Sequence, residues 1–385
     1  MIKKVVILFA AILIALIWYA FPILKPLPKP TGKFVVGTTR FVLHDKARRE
    51  IFSANPNDIR SLLVRVWYPN DSAGSVYRKP YLQKERPYLA HDLAMLTRIP
   101  TWLGSIMLAN MTTYAYENIP LSSALGTYPV VIFSHGLLGS MGAMYEAIVE
   151  NIASHGYIVV GIDHPYLSQL VVFPDGKVIT VHEVLSKYQK LSSQQQYDFV
   201  AQAIEIYKAD FAFVLNQLEK INADAHSLFY DRLDLSKIAI AGHSAGGTAA
   251  IEFAKVDSRA KAAIDLDGWY EHVISYDPVK VPLLLMFNGK NDVIEEPSDS
   301  YLKRKEITRE QYFEREKKII AHKRELCEKS VTCTMVTVPG SSHTDFSDFV
   351  LAKWPLRPWN GPDSYKLIST INADIMRFLD QYVER

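Results

Sequence analysis

The chain has 385 residues, of which 49% are hydrophobic and 22% charged, with a formal net charge of +2. That is the composition of a globular chain able to bury a large core, and it excludes a disordered polymer. A charge this close to zero, with no basic cluster interleaved with aromatics, gives no footprint for nucleic acid.

The first element is Met1-Ile2-Lys3-Lys4 followed by Val5 to Leu24, twenty residues without a charge. At ~1.5 Å per residue a helix of that length crosses a bilayer core of ~30 Å. No small-residue cleavage site is evident, and Trp18, Tyr19 and Pro22 suit an interfacial edge. Residues 1–24 are therefore expected to be an uncleaved signal anchor, with a cleaved signal peptide as the alternative. Lys3 and Lys4 suggest a cytoplasmic N-terminus, although Lys25, Lys29 and Lys33 lie on the other side. The catalytic domain would then stand outside the cytoplasm, in the periplasm of a bacterial inner membrane, or be secreted if the segment is cleaved. Residues 25–35, with three prolines up to Gly32, read as a stiff spacer. Residues 36–385 read as one catalytic domain.

Val36 to Pro69 ends in Leu62-Leu63-Val64-Arg65-Val66-Trp67-Tyr68-Pro69 and is expected to form an antiparallel hairpin at the sheet edge. Leu93 to Met111 is rich in apolar residues, with Leu96, Ile99, Trp102, Leu103, Ile106, Met107 and Leu108. It fits either an interfacial amphipathic helix or a buried one. Beyond it the pattern alternates in the α/β manner. Strands are expected at Val130–Ser134, Ile158–Asp163, Ile238–Ala241, Ala262–Leu266, Leu283–Asn288 and Thr334–Val338. Their continuous apolar runs suit strands covered on both faces of a mostly parallel sheet. A long helix is expected from Gln195 to Ile221, with Val200, Ile204, Tyr207, Phe211, Val214, Leu218 and Ile221 on one stripe. The charged insertion of about 300–330 reads as a solvated helix.

Chemistry enters at Gly242-His243-Ser244-Ala245-Gly246-Gly247, between the strand Ile238–Ala241 and a helix-like stretch. G-x-S-x-G in that setting is the signature of a nucleophile elbow in an α/β-hydrolase fold. The serine needs a base, and the base needs an orienting acid. In this fold they follow in the order Ser, Asp or Glu, His. Of the histidines beyond Ser244, His272 and His343 lie outside the charged helix. His343, in Pro339-Gly340-Ser341-Ser342-His343 after a late strand, sits where catalytic groups of open α/β sheets collect. Asp267 and Asp292 each end a strand, and position alone does not rank them. Asp265, two residues before Asp267, is expected to face the other way. Gly136, Gly139 and Gly142, with Asp163, form only a displaced dinucleotide fingerprint. Ser134-His135-Gly136-Leu137 reads better as an oxyanion loop. The Leu137 N–H and the Ala245 N–H would be its donors, and His135 would shape it. Cys327 and Cys333 could form one disulfide or remain two thiols. Their spacing fits no metal motif and no H-E-x-x-H occurs, so no metal and no cofactor is expected.

The chain resembles the platelet-activating factor acetylhydrolase family of the plasma, lipoprotein-associated phospholipase A2 type. The matching stretches are Tyr128 to Leu137, Ala153 to Val159, Lys237 to Gly247, Leu266-Asp267-Gly268-Trp269 and Gly340 to Phe349, with Met111-Thr112-Thr113 upstream. The resemblance covers roughly Arg60 to Leu351. It implies Asp267 as the acid, 23 residues after Ser244. It further implies a calcium-independent esterase acting through an acyl-enzyme on the sn-2 ester of phospholipids with short or oxidised chains. Leu137 and Ala245 would supply the oxyanion hole, Trp269 would line the acyl pocket, and Leu93–Met111 would dock on lipid. Ala245 departs from the aromatic that the plasma enzymes carry, and the anchor and charged insertion are also departures. A general carboxylesterase or polyester hydrolase, a lipid acyltransferase with the same triad, and a non-catalytic membrane-anchored binding protein are the alternatives.

Overall fold

The computed structural model describes residues 24–384, apart from 75, 109–110, 271–276, 290–293, 295 and 354–361. The expected anchor before Leu24, together with His272 and Asp292, lies outside the described residues. Among the described residues no helix is long and apolar enough to cross a membrane.

The centre is a ten-stranded sheet in the order β12-β11-β10-β9-β5-β6-β2-β1-β4-β3, beside which β7 (Leu170–Val172) and β8 (Val178–Thr180) form a separate antiparallel pair. Its parallel part comprises β5 (Tyr128–Ser134), β6 (Ile158–Asp163), β9 (Leu233–His243), β10 (Ala260–Leu266), β11 (Leu283–Asn288) and β12 (Cys333–Val338). This is the mostly parallel sheet, covered on both faces, that the apolar runs lead one to expect. The hairpin of β1 (Val35–Arg49) and β2 (Ile59–Asn70) is present, but not at the edge. β2 pairs antiparallel with β6, while β4 (Thr112–Glu117) and β3 (Arg78–Pro80) extend the sheet beyond β1. Those two are too short and too polar to announce themselves by pattern.

Period-two alternation divides the strands between two cores. Val131, Phe133, Ala239, Ala241, Ile264 and Leu284 face α3 (Glu146–Ser154) and the C-terminal helix α9 (Ser364–Tyr382). Val130, Ile132, Ile238, Ile240, Ala263 and Leu285 face α5 (Ser193–Ala223) and α6 (Ala245–Val256). Helix α5 begins with a capping box, in which Ser192 and Gln195 satisfy each other's backbone N–H groups. Its buried side carries the expected stripe plus one charged residue, Asp210.

Three expectations are corrected in detail. Leu93–Met111 is not one helix: α1 (Arg86–Thr97) ends at Arg98 in the left-handed region, and α2 (Thr101–Met107) starts after Pro100. Proline disfavours the helical conformation at the preceding residue, which helps to separate them. The charged insertion is likewise two helices, α7 (Asp299–Lys305) and α8 (Arg309–Lys329), divided at Glu306, also left-handed. The prolines of the spacer do not leave it free. Leu24 and Leu27 are buried, Leu24 bridges to Ala352, and the Lys25 N–H donates to the Leu351 carbonyl. Thr31 and Gly32 then bond to the Asn151 and Ser154 side chains on α3. A short helix, α4 (His182–Tyr188), completes the secondary structure that bears on the site.

Candidate active site

Parallel register brings the strand ends to one edge. Ser134 lies opposite Gly242, His243 opposite Leu266, and Leu266 opposite Met286. Ser244 leaves β9 with φ 56° and ψ −126°, a strained conformation for a residue with a side chain. Its N–H is held by the Leu266 carbonyl at 2.9 Å. The turn closes only because its flanks lack side chains. A Cβ on Gly242 would run into the Gly246 backbone, and one on Gly246 would stand 2.6 Å from the carbonyl oxygens of Ser134 and His135. The elbow is thereby pressed against the end of β5.

The side chains chosen from the sequence meet at this edge. His343 Nε2 lies 3.0 Å from Ser244 Oγ, and His343 Nδ1 lies 2.7 Å from Asp267 Oδ2. Asp267 also occupies the left-handed region, at φ 57°. Its carboxylate accepts from the Asn288 N–H at 3.0 Å and from Asn288 Nδ2. Burial alone would raise its pKa, but the hydrogen bond and charge of His343, with the Asn288 donors, hold it below the usual carboxylate range. Asp265 does face the other way, but not by strand alternation, which sets residues two apart on one face: β10 ends at Leu266, and the left-handed turn at Asp267 swings its carboxylate toward His343. Asp265 accepts from the Tyr270 hydroxyl at 2.5 Å, and burial pushes its pKa up to about 7. The His343 loop is tied down by the Ser341 hydroxyl on the Val338 carbonyl and by Asp345 on the Ser342 N–H.

The Gly136–Leu137 segment runs alongside the serine: a Cβ on Gly136 would lie 3.2 Å from Ser244 Cβ. The Gly136 N–H is taken by the Tyr145 hydroxyl, whereas no hydrogen bond consumes the Leu137 N–H among the described residues. Ala245 is the first residue of α6, where N–H groups lack intrahelical acceptors. The glycine trio owes its shape to structure: the Gly142 N–H donates to Asp163 Oδ1, and Asp163 pairs with buried Arg65. His135 is buried and donates from Nδ1 to the Gly136 carbonyl at 2.6 Å. Burial, with His164 next to it, lowers its pKa to about 4, so it is neutral.

Sequence reasoning missed a second serine–histidine–aspartate chain. Ser134 Oγ lies 2.9 Å from His164 Nε2, and His164 Nδ1 lies 2.7 Å from Asp210 Oδ2. All three are fully buried, so no substrate reaches this serine. Asp210 also accepts from both Nε and Nη2 of Arg60, and His164 stacks on Tyr207 at 3.7 Å. The chain is a support beneath the oxyanion segment. Its one signal in the sequence is a charged residue on the apolar stripe of α5.

Trp269 is partly buried against the core on the α5–α6 side, and its backbone N–H donates to Thr248 Oγ1. An apolar cavity of about 290 Å³ lies elsewhere, lined by Leu24, Leu89, Leu108, Gly139, Met144 and Phe349 among others. Trp269 is not among its lining residues. Met95 and Trp102, on α1 and α2, are 71% and 64% exposed. Cys327 and Cys333 form a disulfide between the end of α8 and β12. Among the described residues no group of His, Cys, Asp and Glu is arranged to hold a metal ion.

A family profile described as platelet-activating factor acetylhydrolase, isoform II, matches residues 21–384. A platelet-activating factor acetylhydrolase of Cavia porcellus is 26% identical, over 93% of this chain and 78% of its own length. That of Bos taurus is 29% identical over 73% of this chain and 64% of its own. Among solved structures, a ferulic acid esterase from Streptomyces cinnamoneus superposes with a TM-score of 0.67 at 22% identity. It covers 94% of this chain and 93% of that one, a likeness of fold.

Proposed function

The chain belongs to the platelet-activating factor acetylhydrolase family and is a carboxylic ester hydrolase, and from that premise we propose a serine esterase mechanism on phospholipid. Ser244 is the nucleophile, His343 the general base and Asp267 the residue that orients it. The observation that carries the reading is the hydrogen-bonded chain of 3.0 and 2.7 Å ending on a strained serine.

Ser244 Oγ attacks the ester carbonyl and passes its proton to His343 Nε2. Asp267 holds Nδ1–H and stabilises the imidazolium that forms. The Leu137 and Ala245 N–H groups receive the developing oxyanion, where each fixed donor contributes about 3–4 kcal/mol to the transition state. His343 then protonates the departing alcohol, and a water, activated by the same imidazole, hydrolyses the acyl-enzyme. None of these steps requires calcium.

The substrate is the sn-2 ester of a glycerophospholipid with a short or oxidised acyl chain, and the leaving group is the lysophospholipid. Two features support work at a lipid surface. Met95 and Trp102 are exposed on α1 and α2, and α1, with Leu108 just after α2, also walls the apolar cavity. Leu24, the last residue of the apolar N-terminal run, lines that cavity too, so an anchor there would hold this face near the bilayer. The disulfide supports a domain outside the cytoplasm. Trp269, two residues past Asp267, is assigned to the acyl side of the site.

The test is a chain-length series of phospholipids and soluble p-nitrophenyl esters, with and without chelator, on wild type and Ser244→Ala. The expected result is preference for short sn-2 chains, no effect of chelator, and loss of on the order of 10⁴-fold or more in Ser244→Ala. Near-normal turnover by Ser244→Ala would refute the mechanism. Equal rates on all soluble esters, or acyl transfer to an added alcohol in preference to water, would refute the substrate assignment.

A further inference from the structure

The x residue of the elbow, His243, takes no part in the steps above, yet it is buried and bonded at both ring nitrogens. Its Nε2 lies 2.9 Å from the backbone carbonyl of His343, and its Nδ1 lies 2.8 Å from the Tyr145 hydroxyl. A carbonyl can only accept, so Nε2 carries the proton. The ring being neutral, Nδ1 is a lone pair, and Tyr145 must donate to it. The Tyr145 oxygen is then free to accept, and it takes the Gly136 N–H at 3.2 Å. Polarity therefore runs one way through four groups, from the Gly136 N–H through Tyr145 and His243 to the His343 carbonyl.

This path crosses the site. Gly136 belongs to the oxyanion segment, His243 adjoins the nucleophile in the chain, and the terminal carbonyl is that of the base itself. The rings are packed as well as bonded: His243 lies 4.7 Å from the His343 ring, and Tyr145 lies 5.0 Å from Phe133. Burial, and the proximity of His343, lower the His243 pKa to about 3, in keeping with a ring that stays neutral. Burial likewise lifts the Tyr145 phenol to about 12, so it keeps its proton. Taking the Gly136 N–H out of the site leaves the next one, that of Leu137, for the oxyanion. Ser140 secures the same turn by donating to the Gly136 carbonyl at 2.9 Å.

We propose that Tyr145 and His243 are positioning residues that hold the oxyanion segment and the general-base loop in register across Ser244. The inference rests on Ser244 and His343 acting as nucleophile and base. It assigns a catalytic consequence to bonds that, as mere scaffold, would affect stability alone.

Five variants separate the two roles. Tyr145→Phe removes one hydroxyl from a buried ring, and Tyr68→Phe does the same at a remote site, where the hydroxyl bonds the Ile119 carbonyl. Both should lower Tm, but only Tyr145→Phe should lower kcat, by about tenfold or more with KM within about twofold, the pattern of an interaction realised in the transition state. His243→Gln keeps one donor and one acceptor without charge and should hold kcat within about threefold, while His243→Leu should lose it. The Tyr145→Phe/His243→Leu double variant should be no slower than His243→Leu, because the two act as one path. The proposal is overturned if Tyr145→Phe keeps kcat within twofold, if Tyr68→Phe loses as much, or if His243→Gln is no better than His243→Leu. Should His243→Leu fail to fold, the contrast of Tyr145→Phe with Tyr68→Phe still decides. A fluorophosphonate probe keeps this test apart from the mechanism. If wild type is labelled and Ser244→Ala is inert while Tyr145→Phe is fully active, only the register proposal fails. An active Ser244→Ala would refute the mechanism itself.

Discussion

Replacing Asp267 by Asn tests the acid in isolation, because the structure dictates how the amide must sit. Two donors of Asn288, the N–H and Nδ2, converge on this side chain at 3.0 Å each. The single oxygen of the new amide has to face them, which turns its NH₂ toward His343. Nδ1 must then accept, the imidazole proton moves to Nε2, and the ring meets Ser244 Oγ as a donor, unable to take its proton. The expected loss is on the order of 10⁴-fold in kcat, or about 5.5 kcal/mol of transition-state stabilisation. KM should change little, since Asp267 is buried behind the imidazole and touches no substrate. The backbone at φ 57° admits Asn as readily as Asp, so Tm should stay within about 3 °C. Asp267→Ala would instead strip the acceptors from the Asn288 donors and cost about 1–3 kcal/mol of stability as well. Stopped-flow hydrolysis of p-nitrophenyl butyrate, read alongside calorimetry, separates the two. If Asp267→Asn, folded as wild type, keeps kcat within tenfold, the assignment of Asp267 is wrong.

Three further outcomes follow from the buried charges and the disulfide. Asp210→Ala leaves Arg60 and His164 without their shared carboxylate in the core. It should lose about 3–5 kcal/mol in urea unfolding, with any folded fraction still labelled at Ser244. Burial opposes the Asp210 charge, but Arg60 and His164 outweigh it and hold its pKa well below the ordinary value, so its contribution is present above about pH 4 and lost as pH falls further. The urea midpoint of wild type should therefore fall below pH 4, and less steeply in Asp210→Asn. Asp265 has the opposite sign: its folded pKa, raised by burial from 3.8 to about 7, makes folding less favourable as pH climbs through that window. Asp265→Asn should match wild type near pH 4 and exceed it above pH 7 by up to about 4 kcal/mol; a pH-independent difference would contradict this. Replacing Cys327 and Cys333 by Ser opens a loop with a sequence separation of only 6, so stability should drop by about 2 kcal/mol with activity retained within twofold.

What was legible in the chain is what local pattern encodes. Continuous apolar runs marked the parallel strands, because burial on both faces leaves no polar alternation. Glycines marked the elbow, because only they fit at 242 and 246. The acid was different. Asp267 and Asp292 end consecutive strand candidates, and nothing local distinguishes them; resemblance to a family pointed to Asp267. The physical setting that pattern could not supply is a register, in which Leu266 stands opposite Met286 and the Asp267 N–H reaches the Met286 carbonyl. That register places the carboxylate against the two donors of Asn288. The same limit explains the groups that went unseen. Arg60 and Asp210 are 150 residues apart, and Tyr145 and His243 are 98 apart. Each reads alone as an unremarkable polar residue, and acquires a role only when the sheet brings β2, β5, β6 and β9 side by side. The proline spacer failed for a related reason. Its stiffness was readable, but its attachment depends on Leu24 and Leu27 finding a buried surface more than 300 residues away, beside the loop that carries His343. A segment that looked like a tether is therefore bonded directly to the C-terminal side of the base loop. Cutting or lengthening the chain before Leu24 should leave kcat on soluble esters unchanged, whereas Leu24→Asp, which puts a charge into the contact beside Ala352, should lower it.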